Sequence, residues 1–141
     1  MRSFGLITLA GVFLVGTNSL SREPAGDKDR IQGTWKIVSF DLIPLEKLPS
    51  TKVAITADKF EGLGLVLKYK IDPTKKPKTI DLEGKEGDRD IKQLGIYVLD
   101  GDNLKLYWGA DKKSPRPTKF PKEPNTDNHT RLLVLKRVKA R

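Results

Sequence analysis

The sequence predicts an all-β protein, a single antiparallel up-and-down β-barrel of about eight strands behind an N-terminal signal peptide. Short runs of alternating apolar and polar residues recur along the chain, and most connections between them have hairpin length. The 141 residues suffice for one domain and are too few for two. A two-sheet sandwich would contain similar strands, but a closed barrel removes exposed sheet edges, which suits strands with few protecting prolines.

The first 21 residues have the order of a signal peptide. Arg2 supplies one positive charge, residues 4–16 form an uncharged apolar run, and small or polar residues lead up to Ser21. The apolar run is shorter than the roughly 20 residues that span a bilayer. We expect export to the periplasm or the extracellular space, with cleavage after Ser21 or, as a second option, after Ala25. The alternative is a retained anchor or a buried first helix.

Residues 22–30 are polar and show no periodicity, which predicts a linker, and residues 31–139 then form the barrel domain. The chain has no cysteine, so it has neither the lipidated residue of a lipoprotein nor a disulfide. We therefore expect a soluble, monomeric mature protein without a membrane anchor, stabilised by its apolar core.

The strands are predicted from alternation and from the turn residues between them. The predicted strands comprise residues 32–40, 52–56, 63–71, 79–82, 93–99, 103–108 and 131–138. The connection through Asp100-Gly101 is the strongest hairpin signal, because Asp-Gly readily adopts the positive φ angles of a tight turn. The charged residues 83–90 and the proline-containing residues 109–130 predict loops.

Every second residue of each strand should face the barrel interior. The residues predicted to point inward are Trp35, Ile37, Val53, Ile55, Leu65, Leu67, Tyr69, Ile80, Leu82, Ile96, Val98, Leu104, Leu106, Leu132 and Val134. A register error of one residue would exchange the two faces of a strand.

Several short motifs follow one another along the chain. Gly33-Thr34-Trp35 is a G-x-W motif, and the later blocks are DPTKKPKTIDL at 72–82, GIY at 95–97, LDGDNLKL at 99–106 and RPTKF at 116–120. With these blocks, over about residues 29–138, the chain resembles an uncharacterised lipocalin-like domain family of planctomycete bacteria. The resemblance implies a lipocalin-like barrel and export. It also implies structural roles for Gly33 and for Trp35, which would plug one end beneath Arg137 or, as a second choice, Arg131.

The sequence contains no constellation of residues that would support catalysis. His129 is the only histidine and lies in a polar segment, whereas general-base catalysis needs a positioned partner. Asp100, Asp102 and Asn103 are spaced like part of a calcium loop, but the other oxygen ligands are missing and a hairpin turn explains them better. We expect a protein that is not an enzyme and that has no metal or cofactor.

The formal net charge of +9 gives a surface that favours anionic partners. Lys75, Lys76 and Lys78, in a segment stiffened by Pro73 and Pro77, form the predicted anion site. The alternative is that these lysines only keep the hairpin soluble. No motif of a nucleic-acid-binding domain accompanies the charge, so a nucleic-acid partner is not expected.

The predicted ligand site is the barrel interior, where Tyr69, Tyr97, Leu106 and Trp108 would line a cavity. In the alternative, these side chains fill a solid core. We therefore predict an exported, non-enzymatic binding protein for a small, partly apolar ligand. The alternative function is an interaction module of the cell envelope that binds anionic polymers or proteins through its basic outer surface.

Overall fold

A computed structural model describes residues 26–123 and 125–139, which form a barrel of eight antiparallel strands behind a short helix. The predicted signal peptide, residues 1–21, lies outside the described residues, as does the start of the predicted linker. The elements are α1 (Asp27–Arg30), β1 (Gly33–Phe40), the 3₁₀ turn η1 (Leu45–Lys47), β2 (Lys52–Ile55), β3 (Lys59–Gly62), β4 (Leu65–Asp72), β5 (Thr79–Glu86), β6 (Arg89–Asp100), β7 (Asn103–Gly109) and β8 (Thr130–Arg137).

The sheet closes on itself. Each strand pairs with the next along the chain, and β8 pairs with β1. This topology confirms the predicted all-β, up-and-down antiparallel barrel. The closing pair joins Trp35 to Arg137 and Phe40 to Leu133, with a register shift between Ile37 and Ser39. Closure satisfies the backbone of the first and last strands, which an open sheet would leave as edges.

Two stretches between the predicted strands are themselves strands. Residues 59–62 form β3, which is too short to show a clear alternation of apolar and polar residues. The predicted loop 83–90 instead extends β5 and β6 into one long hairpin that turns at Gly87. Its charged side chains are compatible with a strand because they face solvent and pair with one another, for example the Arg89 guanidinium with the Glu86 carboxylate at 3.0 Å.

The inward face of β6 is the reverse of the predicted one. Tyr97 and Leu99 belong to the main core, whereas Val98 is 44% exposed and Ile96 packs in a second, outer cluster. The prediction that Ile96 and Val98 point inward is therefore wrong. Alternation did not distinguish the inward from the outward face, because both faces of the strand carry apolar residues.

The same reversal holds for β8. Leu133 and Leu135 are fully buried in the main core, whereas the predicted Leu132 and Val134 pack in the outer cluster. The outer faces of these strands are apolar because the long loop after β7 covers them. Phe120 of that loop packs against them, its ring centroid 6.1 Å from that of Tyr107, in the same outer cluster as Leu132 and Val134.

The chain before β1 is part of the folded domain. Residues 27–30 form a helical turn in which Asp27 is buried, and Ile31 is fully buried in the main core. The predicted linker is therefore wrong for residues 27–30. Their polar composition gave no sign that one of them, Asp27, is buried in an ionic contact. Among the described residues, no helix has the length and apolar content needed to cross a membrane.

Candidate functional site

The two ends of the barrel differ in how they are closed. At the plugged end, where β1 begins, Trp35 is fully buried and its indole Nε1 donates a 2.9 Å hydrogen bond to the Ile31 carbonyl. The guanidinium carbon of Arg137 lies 4.3 Å from the centre of the Trp35 ring. Arg137 also donates to the carbonyls of Gln32, at 2.9 Å, and Arg30. This is the place that the resemblance implied for Arg137, whereas Arg131 lies at the opposite end.

Gly33 belongs to the same arrangement. Its φ angle is +136°, and a Cβ atom at this position would lie 2.9 Å from a guanidinium nitrogen of Arg137. A side chain here would strain the backbone and displace the arginine. Gly33, Trp35 and Arg137 therefore meet as one structural unit.

A buried carboxylate fixes α1 against the plugged end. Asp27 accepts hydrogen bonds from the Tyr97 hydroxyl at 2.7 Å, the Lys78 ammonium at 2.8 Å and the Arg30 guanidinium at 2.6 Å. Burial alone would raise the pKa of Asp27, but these three donors outweigh it and lower the pKa to about 2. Burial and the bond to Asp27 raise the pKa of Tyr97, which stays a neutral donor.

The predicted anion site does not form as a set. Lys78 forms an ion pair with the Asp27 carboxylate, and its ammonium lies 6.0 Å from the Tyr97 ring centre. Lys75 and Lys76 are exposed on the turn between β4 and β5. Of the three lysines, only these two remain directed to solvent.

The predicted ligand residues are separated as well. Tyr69 donates a 2.6 Å hydrogen bond to the Thr56 carbonyl, Tyr97 is bonded to Asp27, and Leu106 is fully buried in the core. These three side chains fill the barrel rather than line a space. Trp108 alone of the four lines a cavity.

That cavity lies at the open end of the barrel, opposite the plug, and its volume is about 200 Å³. Its wall is mainly apolar and comes from seven of the eight strands. The side chains that form most of it are Phe40, Phe60, Leu65, Leu67, Leu82 and Trp108. Phe40 is stacked on Trp108, with ring centroids 6.0 Å apart, so the two rings form one continuous face.

Few polar groups reach this cavity. Gln93 donates to the Ala110 carbonyl at 3.3 Å, and Arg131 donates to the Thr130 carbonyl at 2.9 Å. The indole Nε1 of Trp108 is buried and has no hydrogen-bond partner among the described residues. An unpaired buried donor costs about 1–3 kcal/mol, so an acceptor placed beside this nitrogen would be favourable.

Sequence reasoning missed Phe40, Gln93 and Arg131 as cavity residues. Phe40 and Arg131 lie at the ends of the strands that close the barrel, where the bulge in β1 disturbs the alternation. Gln93 was on the predicted outward face of β6, where a polar residue gives no signal, because the prediction reversed that strand.

Besides a depression of about 280 Å³ at residues 89–93 and 110–112, two larger ones lie on the outer surface. One, of about 560 Å³, crosses the outer faces of β3 to β6 between charged residues such as Lys68, Glu83 and Lys92. The other, of about 620 Å³, lies beneath the loop that contains Phe120 and His129. Both are shallow and open to solvent, so neither would remove an apolar ligand from water as the barrel cavity does.

The one histidine of the sequence lies in the loop after β7. His129 is exposed, and its backbone N–H donates to the Asp127 carboxylate at 2.8 Å. Within the described residues there is no group of three or more His, Cys, Asp or Glu side chains that would hold a metal ion.

The chain was compared with family models, with curated proteins and with solved structures, and none of them matches it. The lipocalin-like family relationship stays a prediction from the sequence motifs.

Proposed function

We propose that this protein is an exported, non-enzymatic binding protein that holds a small, predominantly apolar ligand in the cavity at the open end of the barrel. The observation that carries the proposal is an apolar cavity of about 200 Å³ at one end of a barrel whose other end is filled by the buried Trp35 beneath Arg137. Apolar side chains that bordered no ligand would have been free to pack this end as tightly as the plugged end.

The volume limits the size of the ligand. A dry cavity of about 150 Å³ lined by aliphatic and aromatic side chains is large enough to bind benzene. A cavity of about 200 Å³ therefore suits one or two fused aromatic rings or a short acyl chain. The ligand would be held mainly by burial of its apolar surface, worth about 25 cal/mol per Å².

The Trp108 Nε1 donor indicates one polar feature of the ligand. A carbonyl, ether or carboxylate oxygen placed beside the indole would accept its unpaired N–H. Because this nitrogen is buried, the ligand must displace neighbouring side chains slightly to reach it. Gln93 and Arg131, at the cavity rim, would face the polar end of such a ligand.

Calorimetric titration of the protein with 2-acetylnaphthalene, which combines two rings with one carbonyl acceptor, tests the proposal. We expect saturable binding to one site, and a loss of at least about tenfold in affinity for Leu67→Trp, which fills the cavity. Val66→Trp is the matched control, because Val66 is the next residue on the same strand, points outward and is 57% exposed. No binding, or equal affinities in all three proteins, would refute the cavity as a ligand site.

A further inference from the structure

Three lysines form a row across the outer wall of the barrel. Lys36 of β1 lies directly opposite Lys52 of β2 on one side and Lys136 of β8 on the other. All three side chains are exposed. Side chains that are directly opposite in a sheet have Cβ atoms about 4.5–5.5 Å apart, so like charges in these positions repel one another.

None of these three lysines forms an ion pair with a carboxylate of the described residues. The ion pairs in that part of the chain engage other cations, for example Lys105 with Glu123 and Lys139 with Asp102. The row of Lys36, Lys52 and Lys136 is therefore a concentrated positive charge that only an external anion would neutralise.

An exposed apolar patch continues from this row towards the open end. Val38, the next outward residue after Lys36, is 51% exposed, and Leu42 and Ile43 in the turn after β1 are 63% and 39% exposed. Half of the six exposed large hydrophobic side chains of the described chain thus fall within residues 38–43. Ile43 bridges to Phe40, which lines the cavity, so the patch lies beside the cavity mouth.

We propose that this docking surface, formed by Lys36, Val38, Leu42, Ile43, Lys52 and Lys136, seats the open end of the barrel on a lipid bilayer with anionic headgroups. Charge and apolar exposure together select this partner. A soluble polyanion would neutralise the lysines but leave Leu42 in water, whereas a bilayer offers anionic groups at its surface and an apolar layer beneath them.

The geometry matches the layering of a bilayer. Leu42 and Ile43 lie at the end of the barrel, and the lysine row lies about 13 Å further back along the wall, at about 3.3 Å per residue from Phe40 to Lys36. The turn would enter the headgroup and acyl boundary while the lysines stay at headgroup level. This inference does not rest on the cavity ligand, although an apolar ligand would then pass between membrane and cavity without crossing water.

The absence of cysteine permits a site-specific test. The full-length variants Leu42→Cys and Lys76→Cys are each labelled with an environment-sensitive fluorophore and mixed with vesicles of phosphatidylcholine alone or of equal parts phosphatidylcholine and phosphatidylglycerol. We expect a blue shift for the label at position 42 with the anionic vesicles only. The label at position 76, on the turn at the plugged end, should show no shift. Comparing two positions in one chain separates docking of this surface from any contact made by residues 1–25.

A second experiment removes the positive charges of the lysine row. Replacing Lys36, Lys52 and Lys136 by Gln in the labelled protein should weaken vesicle binding about fivefold per lysine, and added salt should weaken it in the same direction. Replacing Lys75 and Lys76 by Gln is the matched control and should have little effect. Leu67→Trp should leave vesicle binding unchanged, so the cavity and the docking surface are tested separately.

The inference is overturned if the label at position 42 stays in an aqueous environment while the protein binds anionic vesicles, or if both labels shift equally. Equal shifts with neutral and anionic vesicles would refute the role of the lysine row. Binding to dextran sulfate that depends on the three lysines, without any binding to vesicles, would replace the bilayer by a soluble polyanion.

Discussion

Arg137 covers the ring of Trp35 at 4.3 Å and thereby ties the last strand of the barrel to the first. The two residues are also register partners across the β1–β8 seam. The guanidinium bonds the carbonyls of Arg30 and Gln32, the first of which lies at the end of α1, where backbone acceptors lack partners within the helix. One side chain thus holds the barrel seam, the plug and the preceding helix together.

Truncating Arg137 to Ala should lower the free energy of unfolding by about 2 kcal/mol, because the stacked cation and the hydrogen bonds to two carbonyls are lost. Arg137→Lys should recover only part of this loss, because the lysine ammonium is a point charge and lacks the planar set of donors of the guanidinium. Urea denaturation followed by tryptophan fluorescence measures both changes. Lys76→Ala, at an exposed position of the same end, should stay within about 0.5 kcal/mol of the parent. Similar small losses in all three variants would show that the plug contributes nothing.

The Asp27 carboxylate should make stability depend on pH in a defined window. Its pKa is lowered from 3.8 to about 2 in the fold, so its contribution is complete above pH 3.8 and is lost as the pH falls towards 2. A lowering of this size corresponds to about 2 kcal/mol. Asp27→Asn should therefore be less stable than the parent by about this amount at pH 7, and the difference should shrink on acidification through that window. A difference that stayed constant from pH 7 to pH 2 would contradict the buried ionic contact.

Neutralising the central lysine of the outer row should stabilise the barrel. Lys36→Gln removes two direct like-charge contacts, with Lys52 and Lys136, and we expect a gain of about 0.5 kcal/mol in the free energy of unfolding at low salt. The gain should fade with added salt, because the charges are exposed and screened. Thermal unfolding at two ionic strengths measures it, with Lys76→Gln as the matched control. A loss of stability would mean that the lysines are paired in solution and would remove the premise of the docking surface.

The barrel itself was predictable because its signals are local. Alternation and the Asp100-Gly101 turn depend on residues close in sequence, and they predicted seven of the eight strands. Closure was predicted because it removes exposed sheet edges. The Asp27 contacts were not predictable, because they join Asp27 to Tyr97 and Lys78 across 70 and 51 positions of the chain. The cavity was not predictable from the sequence either, since its volume depends on how side chains from several strands pack against one another.

The prediction of which faces of β6 and β8 point inward failed for a different reason. Period-2 alternation identifies the inward face only when the opposite face is polar. Ile96 and Leu132 are apolar but lie outside the barrel, beneath the loop after β7. Arg116 fixes this loop by donating to the Gly95 carbonyl at 2.8 Å and by pairing with Asp81 at 2.7 Å. The RPTKF block thus has a structural explanation, as the segment that covers an apolar outer wall.

That explanation gives the last prediction, for Phe120 of the covering loop. Phe120→Ala should lower the free energy of unfolding by about 2 kcal/mol, less than the 3–5 kcal/mol of a fully buried phenylalanine because Phe120 is only partly buried. It uncovers Ile96 and Leu132 and removes the contact with the Tyr107 ring. Val98→Ala is the control, since Val98 lies on the same outer face of β6 as Ile96 but is 44% exposed, and it should change stability by less than about 0.5 kcal/mol. If urea denaturation finds the two variants equal, the loop does not stabilise the wall, and the apolar outer face of β6 and β8 must instead be a surface for another partner.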